Sequence, residues 1–198
     1  IVIIEAGEGF QVRYAQQRGR LKRAGEPSLL RPNRVVAVAL THGHLDHTWG
    51  LLPFLQTLSL DGRQQPLMVY GPTSHEILDS LRDGGIDAPI PSETASAELL
   101  NQYRAWFSLG GTATQLGYPI RWLLGEPQSG RWVEFVDDAS GLLWHDVMPQ
   151  PDTFQSFRMD PLPTHHSIPS CAWQLSRKER KGSFMRDKAA LAGLSQEQ

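Results

Sequence analysis

Three of the seven histidines in this 198-residue sequence fall within Thr41-His42-Gly43-His44-Leu45-Asp46-His47, together with a carboxylate. Imidazole nitrogen and carboxylate oxygen are donors that zinc and manganese accept, so His42, His44, Asp46 and His47 form a candidate metal cradle. In an extended chain His42 and His44 share a face, whereas Asp46 and His47 require the backbone to turn, which Gly43 and the start of a helix permit. The preceding run Val35-Val36-Ala37-Val38-Ala39-Leu40 is apolar and β-branched and predicts a buried strand that delivers the motif at its C-terminal tip. A metal on His42 and His44 needs further ligands, usually four in a structural zinc site and three plus a water in a catalytic one. His165-His166, in a loop between two expected strands and pinned by Pro163 and Pro169, is the later pair with a suitable setting. His145, beside Trp144 in an expected strand, reads as structural, and His75 as a surface residue.

The elements that must position these residues alternate early in the chain. Residues 1–5 predict a strand, and Ala6-Gly7-Glu8-Gly9 a tight turn whose backbone lies close to another group. Residues 10–24 predict a helix with Val12 and Ala15 on its inner side, stopped by Gly25-Glu26-Pro27. After His47, the spacing of Trp49, Leu51, Leu52, Phe54, Leu55 and Leu58 is helical, with Pro53 in the first turn and with Trp49 and Phe54 expected in the core. Residues 66–72 predict a strand with a Gly-Pro exit, 74–82 a short helix, and 95–107 a helix with Leu99, Leu100, Tyr103 and Phe107 on one face. From 110 onward the period becomes two, with strands at 118–124, 131–136, 141–147, 156–162 and 171–175. Helices early and strands late suit stacked sheets with helices outside.

The length accommodates one sizeable core or two small ones, with one large domain as the default expectation. A single cysteine, Cys171, excludes an intrachain disulfide framework and fits a reducing, cytoplasmic compartment. No apolar run of about 18 residues and no signal-peptide pattern is present, so a membrane span is not expected. The net charge of −2 hides an asymmetry. Arg13, Arg18, Arg20, Lys22 and Arg23 cluster with no acid among them. Arg177, Lys178, Arg180, Lys181, Arg186 and Lys188 cluster near the end with only Glu179 and Asp187. Two such segments suit a polyanion, and a solvated helix face explains each one as well.

The His-x-His-x-Asp-His pattern at the end of an apolar strand resembles the signature of the metallo-β-lactamase superfamily. Further segments resemble the ribonuclease Z family of tRNA 3′-processing endonucleases. Ile4-Glu5-Ala6-Gly7-Glu8-Gly9-Phe10-Gln11 is similar to its Asp-Cys-Gly-Glu-Gly-Thr-Gln segment, and Val69-Tyr70-Gly71-Pro72 to its Tyr-Gly-Pro strand exit. His166-Ser167-Ile168-Pro169-Ser170 is similar to its His-x-Val-Pro-Ser motif, and Arg177-Lys178-Glu179-Arg180-Lys181-Gly182-Ser183-Phe184 to the segment that opens its tRNA-gripping arm. These matches run from Ile4 to about Leu194.

The resemblance implies an α/β fold of the four-layer αββα sandwich type, present here as its N-terminal and middle part. Residues 1–175 would belong to that domain and 176–198 would start a basic tRNA-binding arm. It implies a zinc-dependent endoribonuclease, with manganese as the alternative ion, acting on precursor tRNA as a homodimer. His42, His44 and His166 would hold one metal. Asp46 and His47 would help to hold a second, with Asp46 orienting or deprotonating the attacking water, and Arg177, Lys178, Arg180 and Lys181 would contact RNA phosphates. Glu5-Ala6 departs from the family's Asp-Cys, Gly43 and Leu45 reverse its common Leu, Gly order, and Lys181 stands where proline is usual. The family's later Gly-Asp-Thr strand and last metal histidine have no counterpart, so the chain is expected to be truncated and its second metal site incomplete. Two other readings share part of this pattern: a small-molecule phosphodiesterase or lactonase of the same superfamily, and a non-catalytic RNA-binding remnant.

Overall fold

Alternation along the strands sorts the apolar side chains into two cores, one on each face of a central sheet. The computed structural model describes residues 1–27, 29–109, 115–136, 141–178 and 186–193. Its main sheet runs in the order β1 (Val2–Ile4), β2 (Ala37–Ala39), β3 (Leu67–Pro72), β4 (Ile120–Gly125), β5 (Trp132–Val136) and β6 (Gly141–His145). The first four strands are parallel and the last two antiparallel. Parallel neighbours require long crossovers, which four helices supply. They are α1 (Phe10–Arg23), α3 (Leu51–Leu60), α4 (His75–Gly84) and α5 (Leu99–Ser108), and a single turn, α2 (Leu45–Thr48), precedes α3. A short helix, α6 (Arg186–Leu191), follows the last strand.

Val38, Leu40, Val69, Leu124, Val133 and Phe135 point toward the four long helices. Ala37, Ala39, Met68, Tyr70, Leu123 and Trp132 point the other way, toward a hairpin of β7 (Phe157–Pro163) and β8 (Cys171–Arg177). Helix layer, six-stranded sheet and two-stranded sheet are thus three layers of an αββα arrangement. The small side chains of Ala37 and Ala39 leave room for the rings between the sheets, where Tyr70 packs edge-on against Trp132 at 5.9 Å and Trp173 lies 6.3 Å from Trp132. Two hydrogen bonds then seat the hairpin on the tip of β2: Trp173 Nε1 donates to the Leu40 carbonyl at 2.9 Å, and the Cys171 N–H to that of Thr41, also at 2.9 Å. No helix among the described residues is long and apolar enough to cross a membrane.

Three expectations need correction. The inner side of α1 is formed by Phe10 and Tyr14, whose rings each lie 5.0 Å from Phe54, while Val12 is 57% exposed and Ala15 is exposed. The aromatic pair buries more apolar area than valine and alanine can, and this sets the helix's rotation. The helix expected after His47 is interrupted at Trp49-Gly50, where the chain crosses so close to Gly7 that a Cβ on Gly50 would sit 2.0 Å from the Gly7 carbonyl oxygen. The crossing turns Trp49 outward, 64% exposed, whereas Phe54 is fully buried as expected. Helix α5 also starts later than its spacing predicts, because Ser92–Ala97 forms a 3-10 segment and Glu98 accepts the Leu100 N–H as an N-cap.

Candidate metal centre

The strand β2 ends level with β1 and two residues short of the end of β3, and beyond its last ladder bonds the chain is free to turn its side chains into one space. Leu40 is fully buried and His42 is 8% exposed, so the apolar run carries the first histidine beneath the surface. His44 is the N-cap residue of α2, with extended backbone dihedrals, and its carbonyl accepts the His47 N–H at 2.9 Å. That turn places Asp46 and His47 beside the first two histidines. Gly7 makes the fit possible from the other side: a Cβ there would sit 2.0 Å from the Asp46 carbonyl oxygen, so the expected close backbone approach of the glycine turn is against the motif itself.

The docking of β8 on Leu40 and Thr41 brings the loop after β7 over the same space. As a result His166 lies 4.9 Å from the His42 ring and 5.1 Å from the His44 ring, and His42 and His47 are 4.1 Å apart, centroid to centroid. One donor atom from each of His42, His44 and His166 falls within 4.8 Å of the others. Zinc binds imidazole nitrogen at roughly 2.0–2.1 Å, so shifts of about an ångström bring all three onto one ion. Among the described residues this is the group of three metal-type side chains that converge. Asp46 and His47 lie at its edge as a pair, with Asp46 Oδ2 3.6 Å from His47 Nε2 and the Asp46 side chain 78% exposed.

The electrostatics suit a cation. Burial, and then the neighbouring His47, His44 and His166, hold the His42 imidazole down from 6.5 to about 4, so it is a neutral donor at neutral pH. Ligation needs such neutral rings, and clustering them leaves a metal as the favourable charge in their midst. The same shift makes a prediction for the metal-free protein. The unfolded chain takes up a proton on His42 near pH 6.5 and the folded chain near pH 4, so His42's contribution is complete above pH 6.5 and is lost as pH falls through that window. Urea midpoints of the chelator-treated protein are expected to fall as pH drops from 6.5 toward 4 and to show no pH dependence from His42 above 6.5.

Sequence reasoning missed Glu5, which it treated only as a departure from aspartate. Glu5 is the non-glycine residue with positive φ among those described, at 71°, and this turn directs its carboxylate back at the motif. One oxygen accepts the Thr41 N–H at 2.5 Å and the other pairs with Nδ1 of His47. A carboxylate on one ring nitrogen fixes the ring and leaves the other nitrogen, here Nε2, toward Asp46 and the site. The signal available in the sequence was a carboxylate at a strand end that parallels the metal strand. His145 and His75 have the other roles expected of them. His145 Nε2 pairs at 3.0 Å with Glu134, whose carboxylate Arg121 grips at 2.6 and 2.8 Å, and His75 is exposed beside Glu76 at 3.2 Å. His165 is exposed and outside the cluster. Arg177 ends β8 and Lys178 follows it, both exposed, with Lys178 Nζ donating to the Phe154 carbonyl at 3.0 Å. Arg180 and Lys181 lie outside the described residues. A recess of about 340 Å³ opens beside His166, walled by Thr73, Ser74, Glu126, Ile168 and Ser170.

The layered fold thus carries a cluster of metal-type side chains at its strand tips, and comparison with known families places it. The model of the Metallo-beta-lactamase superfamily matches residues 16–168, and the chain belongs to that superfamily. Within it, the chain is similar to ribonuclease Z. It is 25% identical over 181 residues to ribonuclease Z of Leuconostoc mesenteroides, covering 90% of this chain and 41% of that protein. It is 32% identical over 129 residues to ribonuclease Z of Pyrococcus furiosus, covering 61% of this chain and 38% of that protein. A crystal structure of human tRNase Z, short form, aligns with a TM-score of 0.44 and 19% identity over 90% of this chain and 55% of that one. The chain thus spans about 40% of the length of these two curated relatives.

Proposed function

We propose that this chain contributes the first metal-holding part of a zinc-dependent endoribonuclease that removes 3′ trailers from tRNA precursors. The observation that carries this reading is the convergence of His166 on His42 and His44, in a chain whose relatives are named ribonuclease Z. His42, His44 and His166 would hold one ion, and Asp46 with His47 would contribute to a second. Bound there, the ions would neutralise charge on the phosphoryl oxygens and make a water acidic enough to attack at neutral pH.

The remaining steps belong to the chain's own groups. Asp46, exposed at the edge of the cluster, orients the attacking water and takes its proton. Glu5 keeps Nε2 of His47 turned inward. The recess beside His166 accommodates substrate next to the scissile bond. Exposed Arg13, Arg20, Lys22 and Arg23 on α1, and the basic segment over 176–198, contact backbone phosphates, which strengthen binding without reading base sequence. Lone Cys171 accords with a cytoplasmic setting, and a homodimer completes the reading.

Reversing the charges of Arg177, Lys178, Arg180 and Lys181 tests the RNA assignment. In the complete protein, binding of a tRNA precursor should weaken, and the slope of log affinity against log salt should shrink by roughly 3 to 4, about 0.9 for each lost phosphate contact. Hydrolysis of a small phosphodiester should be unchanged. An equal fall in both activities would make the segment structural, and a wild-type enzyme whose substrate binding ignores salt would point to a small-molecule hydrolase instead.

A further inference from the structure

The motif's order, Gly43 before His44 and Leu45 after it, places a glycine between the first two metal-type histidines. The structure shows what occupies the space a side chain would take. A Cβ on Gly43 would sit 2.0 Å from the Ala97 carbonyl oxygen and 3.3 Å from Cγ of Leu99. A Cβ on Gly71, at the end of β3, would meet Cδ1 of the same Leu99 at 2.3 Å. Gly71 at the end of β3 and Gly43 in the loop beyond β2 thus form a seat for the first turn of α5.

From that seat Gln102, 7% exposed, reaches the motif. Its Nε2 donates to the Gly43 carbonyl at 2.5 Å and to that of Ser96 at 2.9 Å. Both neighbours are acceptors, so the amide can face them only with its NH2. Its Oε1 is consequently buried without a hydrogen-bond partner among the described residues. A glutamine serving only to fill the core would carry that cost with no return, since an apolar side chain of similar length fills the same space without it. The start of α5 does not depend on Gln102 either. Glu98 caps Leu100 at 3.4 Å and receives the Thr73 hydroxyl at 3.1 Å, and Asn101 donates to the Ala95 carbonyl at 2.8 Å.

We infer that Gln102 is a positioning residue for the metal centre: its amide fixes the peptide between His42 and His44, through the opening that Gly43 provides for α5. The inference rests on the metal-centre reading above. It does not place Gln102 on the metal or the substrate. Turning the Gly43 peptide would swing both histidines together, so a clamp on its carbonyl governs how closely their nitrogens converge.

The test compares Gln102→Met, which keeps length and loses both donors, with Asn101→Ala, which removes a hydrogen bond from the same helix without touching the motif. Zinc affinity is measured by chelator competition on the full chain, and the visible absorption of the cobalt(II)-loaded protein reports ligand geometry. Gln102→Met should bind zinc about 10- to 100-fold more weakly, as for other outer-sphere partners, and shift the cobalt bands. Asn101→Ala should do neither. Unchanged affinity and bands in Gln102→Met, or an equal loss in Asn101→Ala, would overturn the assignment. Should Gln102→Met not fold, the unaltered protein supplies the answer by nuclear magnetic resonance: the Gln102 side-chain amide protons should exchange slowly and shift on zinc addition, and fast exchange with no shift would refute the clamp. Failure of the unaltered protein to bind zinc or cobalt would remove the metal-centre reading itself, a result distinct from normal binding in Gln102→Met.

Discussion

Replacing His44 by alanine in the complete protein is expected to reduce cleavage of a tRNA precursor by about 1,000-fold or more, with loss of bound metal and little change in folding. The structural half of this expectation follows from how His44 is used. It is the N-cap of α2 but makes no side-chain capping bond, and the contacts that hold the turn, from the His47 N–H at 2.9 Å and the Thr48 hydroxyl at 3.5 Å, go to its backbone carbonyl. Alanine keeps that carbonyl. The ring itself is only half-buried, so its removal leaves no large void. The functional half follows from the chemistry. A metal ion stabilises transition-state charge by several kcal/mol, and about 4 kcal/mol corresponds to roughly 1,000-fold in rate. Metal analysis and cleavage measured together decide it: full cleavage by a well-folded variant would rule out the role given to His44.

Glu5→Ala is expected to weaken metal binding and cleavage by about 10- to 100-fold while leaving every proposed ligand in place. The substitution withdraws the acceptor of the Thr41 N–H and the partner of His47 Nδ1 in one step. His47 is then free to rotate, and the part-buried Thr41 N–H lacks its partner, which costs about 1–3 kcal/mol of stability. Glu5→Gln separates the two effects, since an amide can accept from only one of the two groups with its single oxygen. It should retain much of the stability and part of the metal affinity. Equal affinity in wild type and Glu5→Ala, read by chelator competition, would reduce Glu5 to a backbone support.

The elements most visible in the sequence were those whose signal is local. Val35 to Leu40 announced a buried strand, the histidines at its tip a cluster of metal-type donors, and the period-two segments after residue 115 the later strands. The features that went unseen depend on contacts far along the chain. Trp49 has the spacing of a core residue, and only the crossing of Gly50 over Gly7 turns it to solvent. Val12 and Ala15 fit a helix face as well as Phe10 and Tyr14 do until Phe54 is present to choose between them. Glu5 and Gln102 approach the motif from 36 residues before Thr41 and 59 after Gly43. No pattern within a window of ordinary length joins such positions. His166 was reachable because histidine beside paired prolines in a loop between two expected strands is informative in itself, and because of the family resemblance, although the seating of that hairpin on β2, which carries it to His42, was not.

The two hydrogen bonds that seat the hairpin on β2 have a further consequence for how the chain comes together. His44 and His166 are separated by about 120 residues, so an ion they share is a cross-link spanning most of the polypeptide, comparable in loop-closure entropy to a disulfide over a similar span, about 4–5 kcal/mol in the chain-entropy model. Chelation is then expected to open β7 and β8 to amide exchange before the helix-covered core responds, and simultaneous exchange of both would show that the hairpin is held without an ion. Metal loading at such a site would be a folding step, with the hairpin layer latched by the same groups that would carry out the chemistry.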